Sequence, residues 1–255
     1  MVKYPGDSIT EGSSTQQRGF ALAAELQAAY VRRLDVINRG FSGYNSDHAL
    51  EVIGKVLPTP EQARIKFLTI WFGANDANKN LEMGQFVPAG RFKSNLISII
   101  NHPAIKAHSP NIILLTTPPF EENVLEKSRD DWGYTGEVRK AGDAAEYAEL
   151  VREVGKETGV SVLDVWGLFM EKVGWKAGES LPGSKALGES EILAKLLYDG
   201  LHVSPAGYKI VFEALIKLMK EKWPEYRPYK MPFVTKVAWE IELGDQMWDV
   251  KNDSP

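Results

Sequence analysis

Apolar positions fall into two rhythms along this chain. Short, nearly continuous apolar runs alternate with stretches in which apolar residues recur every three or four positions. The clearest run is Lys66 to Phe72, closed by Gly73. A strand buried on both faces has this unbroken pattern. Asn111 to Thr117 is a second such run, ended by Pro118 and Pro119. Asp35 to Asn38 and Val160 to Asp164 are weaker strand candidates.

Helical spacing fills the intervals. Phe20 to Arg33 is rich in Ala and Leu, and Asp47 to Leu57 sets Ala49, Leu50, Ile53 and Val56 on one face. Arg91 to Asn101 carries Phe92, Leu96, Ile99 and Ile100, and Ala141 to Thr158 carries Tyr147, Leu150, Val151 and Val154. Pro205 to Trp223 places Val211, Leu215, Leu218 and Met219 opposite its lysines. Ser204 suits an N-cap, and Pro205 suits the first helical position. Alternating strands and helices predict an α/β fold, with a parallel sheet covered on both faces. Such a sheet binds ligands at the carboxyl ends of its strands. Tyr134 to Gly142 and Gly174 to Gly188 read as irregular insertions. From Pro224 the chain turns proline-rich and then acidic, so residues 1–223 read as one domain and 224–255 as an extension packed on it or trailing from it.

Composition narrows the chemistry. With 255 residues, 44% hydrophobic and 25% charged, the chain can build a full core without staples. It has 0 Cys, which excludes disulfides, thiolate metal sites and a cysteine nucleophile. A net charge of −4 gives no basic excess for nucleic acid. No apolar run reaches the roughly 20 residues of a membrane helix, and the N-terminus lacks the apolar stretch of a signal peptide. The expectation is a cytoplasmic protein whose partner is a small molecule, not nucleic acid or membrane, with a homo-oligomer left open.

Polar residues and glycines concentrate in four short segments where strands should end. These are Gly6-Asp7-Ser8-Ile9-Thr10-Glu11, Arg39-Gly40-Phe41-Ser42-Gly43-Tyr44, Gly73-Ala74-Asn75-Asp76 and Asp199-Gly200-Leu201-His202. His202 can take and return a proton near neutral pH, and Asp199, three residues earlier, can fold back to fix its tautomer. The plainer reading is a loop that caps the helix at Pro205. Ser8 sits at a strand-to-helix turn, where a base could activate its hydroxyl and its N–H could face an oxyanion. The plainer reading is a helix cap. Gly43 could bring a bare N–H close to substrate, and Asn75 could add an amide donor. Otherwise they serve a tight turn and a loop contact. The mutual fit of the four loops favours the chemical reading. The Gly-x-Ser-x-Gly elbow of α/β-hydrolases is absent.

These blocks resemble, in order, the four blocks of the GDSL, or SGNH, hydrolases, with Ser8, Gly43, Asn75 and His202 as the four signature residues. Arg39 to Tyr44, Asp199 to Ser204 with Gly207-Tyr208-Lys209, and Trp223 to Tyr226 look like the isoamyl acetate-hydrolysing esterases of fungi. The resemblance implies a three-layer α/β/α sandwich, flavodoxin-like, with a five-stranded parallel sheet. It implies Ser8 as nucleophile, His202 as base and then acid, and Asp199 as its orienter. The Ser8 and Gly43 N–H groups and the Asn75 side chain would form the oxyanion hole. The reaction would be hydrolysis of a small ester, such as a short-chain acetate, through an acyl-serine, with no metal and no cofactor. Carbohydrate deacetylation and lysophospholipase activity occur in similar proteins. A binding protein of weak catalytic power on the same fold is the rival from another class.

The family places an apolar strand directly before the first block. Here only Met1 to Pro5 precedes Gly6, and proline suits a central strand poorly. The expectation is a short first strand, or a trimmed chain start, that holds the Ser8 loop loosely and weakens activity. Asp7 and Asp76 are expected to bond loop amides; with Asp199 and His202 they could otherwise hold a divalent metal. His48, His102 and His108 read as bland. Trp132, Trp166, Trp175, Phe120 and Phe169 are candidates for pocket walls or for plain core.

Overall fold

The computed structural model describes residues 1–128, 139–228 and 231–234. Among them, five strands form one parallel sheet: β1 Val2–Gly6, β2 Val36–Gly40, β3 Phe67–Ile70, β4 Asn111–Leu115 and β5 Ser161–Leu163. Their order is β2-β1-β3-β4-β5. The chain steps from β1 to the edge at β2, then crosses back to β3. That reversal makes the β1/β3 boundary a topological switch point, where a crevice opens at the carboxyl ends.

The helices are α1 Ser8–Gly12, α2 Leu22–Ala29, α3 Ser46–Val56, α4 Ala89–Ile100, α5 Pro103–Lys106, α6 Glu122–Ser128, α7 Ala141–Thr158, α8 Val165–Val173, α9 Glu191–Leu196 and α10 Pro205–Lys222. α3, α4 and α7 pack in series as one group, while α10 packs with α2, α8 and α9 as another. These groups flank the sheet, and their apolar faces meet it in one continuous core. All four residues of β3 are buried, which is why its run reads as unbroken.

Several boundaries differ from the sequence pattern. Trp71 and Phe72 lie past the end of β3, and Thr116 and Thr117 past the end of β4. They are buried all the same, so burial alone extended the apparent strands. The Trp71 indole N–H donates to the Thr116 carbonyl at 3.0 Å, linking the two strand ends. α2 is shorter than its Ala- and Leu-rich stretch, because Tyr30 to Leu34 turns back toward β2. α8 and α9 had no sequence expectation; both are short.

β1 is five residues long, as are β2 and β4, and it lies between β2 and β3. The ladder accommodates Pro5 by interruption. Pairing with β3 runs through Lys3–Leu68, lapses, and resumes at a bridge between Gly6 and Trp71. The Pro5 carbonyl accepts the Trp71 N–H at 3.2 Å, so the donor that proline lacks would also have faced β3. Pairing with β2 continues through Pro5 and Gly6. The expected weakness of this strand is therefore confined to one side.

Phe120 and Phe169 are fully buried and Trp166 nearly so, with Trp175 edge-on to Trp166. Trp132 and residues 134–138 lie outside the described residues, as do residues 235–255. Beyond α10, Trp223 and Tyr226 pack edge-on against Phe67, and the Tyr226 carbonyl accepts from Tyr30 Oη at 3.0 Å. The Arg33 Nε donates to Met231 O at 2.6 Å. Phe67 begins β3, so the Trp223 and Tyr226 contacts lie at the opposite end of the strands from Ser8. Among the described residues, no helix is long and apolar enough to cross a membrane.

Candidate active site

β1 ends at Gly6, and the chain turns at once into α1. Asp7 is the N-cap, its Oδ1 accepting the Ile9 N–H at 2.8 Å. Ser8 is the first helical residue, half-buried, with its N–H among the donors a helix start leaves without an internal partner. Tyr208 of α10 donates its hydroxyl to the Ile9 carbonyl and fixes α1 from above.

His202 arrives from the loop between α9 and α10. Gly200 in that loop has φ +83°, and a Cβ there would sit 2.6 Å from the Glu121 carbonyl oxygen, so only glycine fits the turn. The turn folds Asp199 back on the histidine. Asp199 Oδ1 accepts the backbone N–H groups of Leu201 at 3.0 Å and His202 at 2.7 Å, and Oδ2 lies 2.7 Å from His202 Nδ1. His202 Nε2 lies 2.9 Å from Ser8 Oγ. A carboxylate only accepts, so Nδ1 carries the proton, and the neutral ring presents Nε2 as acceptor to the serine hydroxyl.

The loops after β2 and β3 bring up neutral donors. Gly43 has φ +80°, a left-handed conformation that suits glycine. Its N–H meets no acceptor among the described residues. Asn75 is buried, and its Nδ2 donates to the Tyr44 carbonyl at 2.8 Å, so the two loops are tied beside Gly43. The β1 and β2 loops are joined likewise, by Phe41 N–H to Gly6 O at 2.9 Å and Ser42 N–H to Glu11 Oε2 at 2.8 Å. The structure thus joins Ser8, Asp199 and His202 in one line, ties the Asn75 loop to the Gly43 loop, and ties the Gly43 loop to the turn that carries Ser8.

Asp7 and Asp76 hold loop amides. Asp76 Oδ1 accepts the Ser46 N–H at 2.8 Å, and Oδ2 accepts the Gly73 N–H at 3.1 Å. Burial pushes Asp7 up to about 6, against the pull of the Ile9 N–H, of the protonated form of His202 and of the Arg139 charge. Burial pushes Asp76 up to about 7; its bonds from Ser46 oppose the rise and the Asp7 charge adds to it. Among the described residues, no three His, Asp or Glu side chains gather as metal ligands.

The model of the GDSL-like lipase/acylhydrolase family matches residues 6–210, most of the chain and all four loops. The chain belongs to that family. Among its relatives, a GDSL esterase/lipase of Arabidopsis thaliana is 32% identical over 223 residues, covering 85% of this chain and 84% of the relative. The isoamyl acetate-hydrolysing esterase 1 homolog of Bos taurus is 33% identical over 241 residues, covering 91% and 86%. The isoamyl acetate-hydrolysing esterase of Saccharomyces cerevisiae is 28% identical over 247 residues, covering 94% of each chain. The fold is that of the lipase/acylhydrolase from Enterococcus faecalis, with TM-score 0.58 and 21% identity over 87% of this chain and 97% of that one. This GDSL chain is accordingly a carboxylic ester hydrolase by family.

Three features of this GDSL site escape the sequence pattern. A cavity of about 100 Å³ opens beside Ser8 and His202, walled by Phe20, Tyr198 and Tyr208 among others, with Arg18 at its edge. Of the tryptophans and phenylalanines singled out in the sequence, the described ones, Trp166, Trp175, Phe120 and Phe169, do not line it. Tyr198 stacks on the His202 ring at 5.7 Å, and the Arg18 guanidinium lies 3.9 Å over Tyr198. Arg139, buried, donates to Ala74 O, Asn75 Oδ1 and Gln85 Oε1. The remaining histidines are structural. His48 completes the capping box of α3, His102 caps α5, and His108 bridges Ile65 N and Pro58 O.

Proposed function

We propose that this chain is a serine esterase that hydrolyses small neutral esters, most fittingly short-chain acetates of alcohols, through an acyl-serine intermediate. The continuous Asp199–His202–Ser8 contact, opening on a cavity of only about 100 Å³, carries the reading. The small cavity favours short groups, since an engineered cavity of about 150 Å³ holds no more than a benzene ring. The likeness to the isoamyl acetate-hydrolysing esterase of yeast points the same way.

Ser8 Oγ attacks the ester carbonyl carbon while its proton passes to His202 Nε2. The tetrahedral oxyanion faces the Ser8 and Gly43 N–H groups and one hydrogen of Asn75 Nδ2, the other being held by Tyr44 O. Asp199 stabilises the imidazolium without taking its proton. His202 then protonates the departing alcohol, leaving the acyl group on Ser8. Water attacks that acyl carbon, His202 takes the water's proton, and the proton returns to Ser8 Oγ as the acid departs.

A series of esters of one alcohol with acyl chains from acetyl to octanoyl tests the substrate class. The expected result is a steep fall in kcat/KM beyond butyryl. A rise toward long chains would point to lipid substrates, and turnover confined to acetylated sugars would point to carbohydrate deacetylation.

A further inference from the structure

Two of the three oxyanion donors come from loops that have no regular structure to hold them. The Asn75 amide follows β3, and the Gly43 N–H follows β2. Both lead to one guanidinium. Arg139 Nη2 donates to Asn75 Oδ1 at 3.0 Å, and Arg139 Nε donates to the neighbouring Ala74 carbonyl at 3.1 Å. The same Nη2 donates to Gln85 Oε1 at 3.0 Å, and Gln85 Nε2 in turn donates to the Gly43 carbonyl at 3.2 Å. Gln85 Oε1 also accepts from Asn78 Nδ2 at 2.9 Å, which fixes the Gln85 amide with its nitrogen toward Gly43.

We propose that Arg139 is a positioning residue for the oxyanion hole, fixing the Asn75 amide directly and, through Gln85 on the Gly43 carbonyl, the loop that carries the Gly43 N–H. The inference rests on the acyl-serine reading above. Its chemistry is specific to a guanidinium. A donor-only group on Asn75 Oδ1 and an acceptor on Nδ2 leave the amide a single orientation, with its nitrogen forward. A positive charge on Oδ1 also polarises the amide, so its Nδ2–H groups become stronger donors toward a developing negative charge. Arg139 is only 5% exposed, where water screens that effect little. The planar fork reaches the Ala74 carbonyl and the two side-chain oxygens together, which a lysine's point charge cannot reproduce in the same geometry. Arg139 need touch no substrate atom for any of this.

The test compares Arg139→Met, Arg139→Lys, Gln85→Met, Asn75→Ala and the Arg139→Met/Asn75→Ala double variant on one short-chain ester. Melting temperature checks folding in each. Arg139→Met should lower kcat by about 10- to 100-fold, below the roughly 10²–10³ expected for losing the Asn75 donor outright, with KM changed less than about threefold. The double variant should be slower than Asn75→Ala alone by no more than the Gln85→Met loss, because the arginine acts through the Asn75 amide and, beside it, only through the Gly43 arm. Arg139→Lys should recover part of the loss. Gln85→Met, which frees only the Gly43 arm, should cost less than Arg139→Met.

A folded Arg139→Met with wild-type kcat, or a double variant whose losses multiply, would overturn the proposal. If Arg139→Met does not fold, Gln85→Met and Arg139→Lys decide it: wild-type kcat in both overturns it. A wild type that neither turns over nor takes a serine-directed phosphonate overturns the acyl-serine reading instead. The side-chain amide signals of Asn75 in ¹⁵N-labelled protein then still read the anchoring without turnover. They should move when Arg139 becomes Lys, and unmoved signals would overturn the proposal.

Discussion

Asp199 grips His202 twice: one carboxylate oxygen holds the histidine's backbone N–H at 2.7 Å, and the other meets its ring Nδ1 at 2.7 Å. The same side chain therefore shapes the turn and selects the tautomer. Asp199→Asn keeps an oxygen for the backbone donors but offers N–H groups to Nδ1, which favours the wrong tautomer. The expected loss in kcat is about 10²–10⁴-fold with KM little changed, read from steady-state kinetics on a short-chain ester. A loss below tenfold would mean that Asp199 only builds the loop.

The buried acids set a pH dependence of stability. Asp7 and Asp76 are raised from an ordinary 3.8 to about 6 and about 7. Between pH 4 and pH 7 the folded state holds more protons at these groups than the unfolded chain does. Their contribution is full below pH 4 and is lost as the pH rises toward 7. The melting temperature of Asp7→Asn, which retains an oxygen for Ile9, should therefore gain on that of the wild type as the pH rises from 4 to 6. A constant difference across that range would count against the raised value.

Gly43 should tolerate no side chain. At φ +80°, alanine costs about 1–2 kcal/mol of backbone strain. Its Cβ would lie 3.6 Å from Gln85 Nε2, an ordinary contact, so the strain is conformational. Because the peptide there is a proposed oxyanion donor, Gly43→Ala should lower kcat at least about tenfold while the fold survives. Kinetics and thermal melting on the same sample separate the two effects.

Phe20 is a proposed wall of the acyl site. It lines the cavity beside Ser8 and packs edge-on against Phe212 of α10. Phe20→Ala enlarges the cavity, so the ratio of kcat/KM for hexanoyl over acetyl esters should rise. An unchanged ratio would place the acyl chain elsewhere.

Much of this was legible in the chain because a few physical signals are strong. β3 and β4 announce themselves by burial on both faces. α7 runs over the residues its periodicity marks, ended by Gly159 in the left-handed conformation. Ser204 and Pro205 start α10 as their cap chemistry dictates. The four loops stand out because glycine and polar side chains follow apolar runs. Pro5 misleads, since a proline costs a strand one donor on one side only, and the other neighbour still pairs. Arg139 is invisible to pattern: it precedes α7 in a stretch without periodicity, and its acceptors lie 54 to 65 residues away in sequence. The cavity walls are missed for the same reason, as Phe20, Tyr198 and Tyr208 meet only in three dimensions.

The central claim is that Ser8 is an activated nucleophile. Intact mass after exposure to a serine-reactive fluorophosphonate, with Ser8→Ala alongside, tests it most directly. The expected result is a single adduct on the wild type and none on the variant. A folded wild type without an adduct, or an equal adduct on Ser8→Ala, would contradict it.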